Sequence, residues 1–241
     1  MRNLLVEIGN TATKLTWSDG ITLGKTFRYQ GEKVLEFIQS TLDSEKPDVM
    51  VISSAGDIPS KWESLFSKQC GKLVLMDSKH SNVASAYSLP TWLTPDRTAS
   101  VIASRFLFSG KSVSVFDFGT TLTIDFIDAQ GNYKGGLTSP GCRTRFKSIY
   151  RYSKALPLLD TPENPAVYGD SMASSIEAGI ISGIMFEIEG HLDNNPDNIV
   201  VFTGGDANYF AKRLKNSIFV ICNLVLMGLA LIAKNFYESN L

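Results

Sequence analysis

Two short stretches set an acid at the end of an apolar run and follow it with a glycine-led polar turn: "EIGNTATK" at 7–14 and "DFGTTLTID" at 117–125. The first offers Glu7, Gly9, Asn10, Thr11 and Lys14; the second offers Asp117, Gly119, Thr120, Thr121 and Thr123. Glycine lets backbone approach a ligand and take positive φ. The amides and hydroxyls that follow are donors suited to phosphate oxygens. A nearby carboxylate can hold a hard cation, usually through water, that neutralises those phosphates, and Lys14 could add a point charge. Plain hairpin turns also use Gly and Asn. They leave the acid unexplained, since a strand carboxylate is expensive to bury without a partner, and it occurs twice.

Three other groups could do chemistry. In "TPDR" (94–97), Thr94, Pro95 and Asp96 form a helix start with a capping hydroxyl, a first-turn proline and an acid near the positive helix end. As a helix-dipole acid Asp96 contributes about 0.3–1 kcal/mol; near a substrate hydroxyl it is a general base. In "FTGGDA" (202–207), Gly204 and Gly205 permit close backbone approach or simply form the turn before a helix. Asp125 reads as a satisfied strand acid. His80 and His191 have no partners in sequence and read as surface or loop residues.

Positioning these groups requires two similar runs of elements. Strands are expected at 3–8, 13–18 and 21–28, a helix through Val34, Phe37, Ile38 and Leu42, a strand at 48–54, a short helix at Trp62, Leu65 and Phe66, and a strand at 72–77. A helix over 97–108 bridges to the second run: strands 113–118, 121–128 and 132–138, helices 142–153 and 171–192, strand 198–205, helix 207–215, strand 218–221 and a terminal helix. The repeat period is about half the chain, which implies an α/β protein with a duplicated domain, 1–110 and 111–241.

Composition narrows the function classes. The 241 residues are 44% hydrophobic and 20% charged with net charge −1, ordinary for a soluble globular chain. That balance argues against nucleic acid as a partner; the cluster Arg143, Arg145, Lys147 and Arg151 reads as a solvated helix face. Cys70, Cys142 and Cys222 lack metal-ligand or disulfide spacing and suit a reducing cytoplasm. No signal peptide is read. The apolar run 218–233 is short for a membrane span and is interrupted by Asn223, so it reads as a buried strand followed by a buried helix.

Two acidic strand-turns facing each other is the layout of the acetate-and-sugar-kinase/actin superfamily. "EIGNTATK" resembles the D-x-G-N-T-x-x-K phosphate loop of type III pantothenate kinases, and "TPDR" resembles their G-x-D-R. "DFGTTLTIDFIDAQGNYKGGLTSPG" (117–141) is similar to their D-x-G-T-A-x-T-x-D, G-G and P-G series. "GDSMASSIEAGIISG" (169–183) is similar to their G-x-N-T stretch, and "LVLMGL" (224–229) to their L-x-L-x-G-L. These matches run in order from residue 5 to about 230.

The resemblance implies duplicated ribonuclease-H-like (actin-like ATPase) domains with a nucleotide cleft between them, and ATP-dependent phosphorylation of pantothenate, the first step towards coenzyme A. It implies Asp96 as general base; Glu7, Gly9, Asn10, Thr11, Lys14, Thr120, Gly204 and Gly205 around ATP; and Asp117 at a monovalent cation, potassium or ammonium, besides magnesium. It implies Tyr87, Thr94, Pro95, Arg97 and Ser171 as substrate contacts, and a cytoplasmic homodimer whose pocket the second subunit completes. The chain departs from the pattern at Glu7 (usually Asp), Thr94-Pro95 (usually Gly and a small residue) and Ser171 (usually Thr). One added methylene moves a carboxylate by roughly 1 Å, enough to cost about a hundredfold in rate. A nucleotide-binding regulator without turnover, or a kinase of another small hydroxyl compound, uses the same fold.

Overall fold

Leu4, Leu5 and Val6 are fully buried, so β1 (Arg2–Ile8) lies inside its sheet. It pairs antiparallel with β2 (Thr13–Asp19) on one side and parallel with β4 (Val49–Ser54) on the other. Every residue of β4 is buried, the near-continuous apolar run expected of a parallel strand covered on both faces. With β3 (Thr22–Tyr29) and β5 (Lys72–Met76) at the edges, the sheet order is β3-β2-β1-β4-β5. Helices α1 (Val34–Leu42) and α2 (Ser60–Phe66) supply Ile38, Trp62 and Phe66 to a core with Leu4, Val6 and Ile52. The short α3 (Asn82–Ala86) and the long α4 (Pro95–Leu107) follow.

The computed structural model describes residues 1–42 and 45–238, and the chain divides there into two units, Met1–Leu107 with Asn223–Leu241, and Phe108–Cys222. The second unit contains β6 (Val113–Phe118), β7 (Thr121–Ile127), β8 (Tyr133–Pro140), α5 (Cys142–Tyr152), α6 (Met172–Asp193), β9 (Ile199–Gly204), α7 (Ala207–Ala211) and β10 (Ile218–Val220). Its sheet order is β10-β9-β6-β7-β8, with β6–β7 and β7–β8 antiparallel and β6–β9 and β9–β10 parallel. Strand for strand this repeats the first sheet. Both units are ribonuclease-H-like, as the family resemblance implied, and the repeat of predicted elements is the duplication.

Four details differ from the sequence reading. The α3 turn was not anticipated, because five residues are too few to show a helical period. Helix α7 stops at Ala211 rather than 215. Strand β10 is a partly exposed edge, with Phe219 52% exposed, where a buried strand was expected. The last helix, α8 (Leu224–Glu238), follows the second unit in sequence but packs in the first, against α4, β1 and β4. Gly228 makes that packing possible: a Cβ there would lie 2.0 Å from the Ala99 carbonyl oxygen of α4. Among the described residues no helix is long and apolar enough to cross a membrane.

Candidate active site

In the first unit the β1–β2 hairpin sets Glu7 directly opposite Lys14. The Lys14 ammonium donates to both Glu7 carboxylate oxygens at 3.2 and 3.3 Å. Burial pushes the Glu7 pKa above its ordinary value; Lys14 opposes that shift and the nearby charge of Asp96 adds to it. Beyond the pair, the turn closes through the Gly9 amide on the Ala12 carbonyl at 3.0 Å, and Gly9, Asn10 and Thr11 face solvent. Gly9 is not among the positive-φ glycines, contrary to the conformational reason anticipated for it. Its bareness, not its φ, is what this turn uses.

Asp96 lies in the first turn of α4, half-buried, and accepts the Arg97 amide at 2.9 Å. Thr94 precedes the helix and its carbonyl accepts from the Thr98 amide at 2.8 Å, while Pro95 takes the first helical position, where its missing N–H costs nothing. Arg97 is 8% exposed and its guanidinium lies 5.8 Å from the Trp92 ring centre. Tyr87 ends α3 half-buried; its hydroxyl accepts from the Asn235 side chain of α8 at 2.5 Å and its carbonyl from Arg105 at 2.8 Å. Asn235 had no sequence signal, because only tertiary packing brings α8 to Tyr87. His80, expected to lack a partner, has its Nδ1 2.7 Å from buried Asp77. Asp77 also accepts the Ile58, Lys79 and His80 amides, and these donors hold its carboxyl below the usual range although burial opposes them.

The second unit builds its turn around Asp117, opposite Thr123 of β7 and Thr203 of β9. Gly204 has φ +90°, and a Cβ there would fall 2.5 Å from an Asp117 carboxylate oxygen and from the Phe118 carbonyl oxygen. Only glycine fits. The Thr120 carbonyl accepts from the Gly141 amide at 3.0 Å and the Thr144 hydroxyl at 2.6 Å, tying the turn to the start of α5. Thr120 itself and Gly205 are exposed. Asp125 is 2% exposed and accepts from Tyr133 at 2.8 Å, the satisfied strand acid anticipated. Ser171 caps α6: its hydroxyl accepts the Ser174 amide at 3.2 Å in a reciprocal capping box.

Residues 3–194 match a family model described as type III pantothenate kinase. The chain belongs to the type III pantothenate kinase family. A relative in Flavobacterium johnsoniae, named type III pantothenate kinase, is 32% identical over 94% of this chain and 95% of its own. Two solved structures share the fold. A Baf family transcriptional activator from Campylobacter jejuni has TM-score 0.62 at 20% identity, covering 99% of this chain and all of that one. An activator of 2-hydroxyisocaproyl-CoA dehydratase from Clostridium difficile, with bound ADPNP, has TM-score 0.59 at 14% identity over 100% and 97%.

As a type III pantothenate kinase family member the chain is an enzyme that uses ATP. Its residues fit a metal held mainly by phosphate and water oxygens. Among the described residues no three His, Cys, Asp or Glu side chains form a metal cage, while each turn presents one strand-end carboxylate, Glu7 or Asp117. Magnesium bound with nucleotides commonly takes one or two protein carboxylates.

Proposed function

We infer that this chain catalyses ATP-dependent phosphorylation of pantothenate to 4′-phosphopantothenate, the entry step of coenzyme A synthesis, with Asp96 as the general base. The observation that supports the base assignment is the place of Asp96 in the first turn of α4, half-buried and next to Arg97, whose amide it accepts. Asp96 takes the proton of the pantothenate hydroxyl as its oxygen bonds to the γ-phosphorus and ADP leaves. Arg97 and Tyr87 bind the substrate, with Thr94, Pro95 and Ser171 at its edges. Gly9, Asn10, Thr11, Thr120, Gly204 and Gly205 present backbone and hydroxyl groups to ATP. Phosphoryl transfer is chiefly positioning and charge stabilisation, so these residues need to hold and orient more than to react. Magnesium supplies neutralisation of the phosphate charge.

Asp117 is assigned to a monovalent cation, potassium or ammonium, as the strand-end carboxylate of the second turn. A homodimer is assigned to the α6 face. Met172, Gly179 and Phe186 recur along it every two turns and stay exposed, beside an apolar cavity of about 670 Å³ lined by Ile149, Ile176 and Ile180. A cytoplasmic setting is assigned because the reaction consumes ATP and the three cysteines are unpaired.

The test is ATP consumption with pantothenate, magnesium and potassium, ammonium or sodium. The expected result is pantothenate-dependent ADP release that depends on the monovalent ion. ATP binding without product under every salt would replace the kinase reading by a nucleotide-binding regulator.

A further inference from the structure

Tyr87 is pinned by residues that take no part in the assigned site. Its carbonyl accepts from the half-buried Arg105 guanidinium of α4 at 2.8 Å, and its hydroxyl accepts from the Asn235 side-chain amide of α8 at 2.5 Å. Directly after it the chain reverses: the Leu89 amide donates back to the Ala84 carbonyl at 2.8 Å, and Ser88 takes φ +53°. Among the described residues Ser88 is the one non-glycine residue with positive φ, at a helix-end position that glycine normally fills. A side chain there is strained, and such strain persists where the surroundings fix the backbone. Arg105 belongs to the helix that carries Asp96 and Arg97. Asn235 lies about two turns beyond Gly228, on the same face of α8. The packed pair α4 and α8 therefore grips Tyr87 by its backbone and by its hydroxyl.

The direction of the Asn235 bond decides what the phenol can do. An amide nitrogen only donates, whereas a phenol accepts and also donates one proton. With Asn235 on its lone pair, the Tyr87 hydroxyl keeps its proton for a second partner, and among the described residues none takes it. Burial pushes the phenol pKa above its ordinary value and outweighs the opposing Asn235 bond, so the proton is present at neutral pH. Tyr87 is thus a fixed donor. It suits an acceptor on the substrate, the class to which the carboxylate and amide carbonyl of pantothenate belong.

We propose that Asn235 is a positioning residue for the kinase: by donating to the Tyr87 hydroxyl it holds the phenol with its proton available to an acceptor of pantothenate. This rests on the reading of Tyr87 as a substrate contact in an active pantothenate kinase.

Steady-state kinetics of the full chain, with the melting temperature of every variant, test it. Asn235→Ala should raise the pantothenate KM about three- to tenfold, the scale of one neutral hydrogen bond, with kcat, the ATP KM and the melting temperature close to wild type. Loss of binding alone has that signature. Asn235→Asp places an acceptor where the donor was and draws the phenol proton to itself, so it should raise the KM at least as much. Tyr87→Phe should raise the KM by a similar factor, and adding Asn235→Ala to it should change nothing further. A wild-type pantothenate KM in Asn235→Ala overturns the proposal, as does an equal rise with and without the Tyr87 hydroxyl. A lowered melting temperature with kcat and both KM values altered overturns it too, and makes Asn235 a fold contact. If the wild type phosphorylates no pantothenate, the kinase reading fails and this proposal with it; an active wild type indifferent to Asn235 defeats this proposal alone.

Discussion

Glu7 departs from the resembled pattern by one methylene, and it is held by Lys14. Across the hairpin the longer side chain meets Lys14 with both oxygens. Because burial raises the Glu7 pKa above 4.5, the folded state holds this proton more tightly than the unfolded chain. Its contribution is therefore most favourable below about pH 4.5 and is lost as pH rises through the raised folded value. Lys14 limits that loss. Lys14→Met should push the Glu7 pKa higher and enlarge the fall in stability between pH 4 and neutral, as read by thermal melts at the two pH values. A pH dependence identical to wild type would show that Lys14 does not hold the Glu7 charge. Asp96→Asn should abolish turnover while ATP affinity stays near wild type; a wild-type rate would reduce Asp96 to a helix-start acid. Both acids were legible from residue type and spacing. The His80–Asp77 pair and the Asn235–Tyr87 bond were not, since loop and packing geometry create them.

At the scale of elements, helix ends were legible and helix neighbours were not. Ser171 shows the difference. Its place before an amphipathic run marks a cap, and the reciprocal bond with Ser174 makes it one. Ser171→Ala should cost about 1 kcal/mol in reversible unfolding, with any further loss in the pantothenate KM measuring a substrate role. An unchanged midpoint would mean the cap is replaced by water at no cost. The "LVLMGL" match carries a packing role at Gly228, which lets α8 close on α4. Gly228→Ala inserts a methyl where no space exists and should destabilise by about 1–3 kcal/mol. Activity should fall with it, because α4 carries Asp96 and Arg97. A variant with unchanged melting and rate would mean that the two helices separate without consequence.

For the whole molecule, the duplication was readable because both halves run three strands before alternating helix and strand, and the two sheets repeat one order. The final helix breaks the correspondence between chain order and unit. Since α8 packs in the first unit, its amides should exchange in mild denaturant with the opening free energy of β1 and α4, not that of β9. Exchange of α8 together with β9 would assign it to the second unit. The sequence by itself determined the strands, the two glycine turns and their acids, and the helix start at Asp96, because periodicity, turn chemistry and capping act over a few neighbouring residues. Tertiary structure alone decided that α8 joins the first unit, that Glu7 is paired with Lys14, and that Asn235 of α8 meets Tyr87. Each of these depends on which surfaces meet, and contact between residues far apart in the chain leaves no local pattern to read.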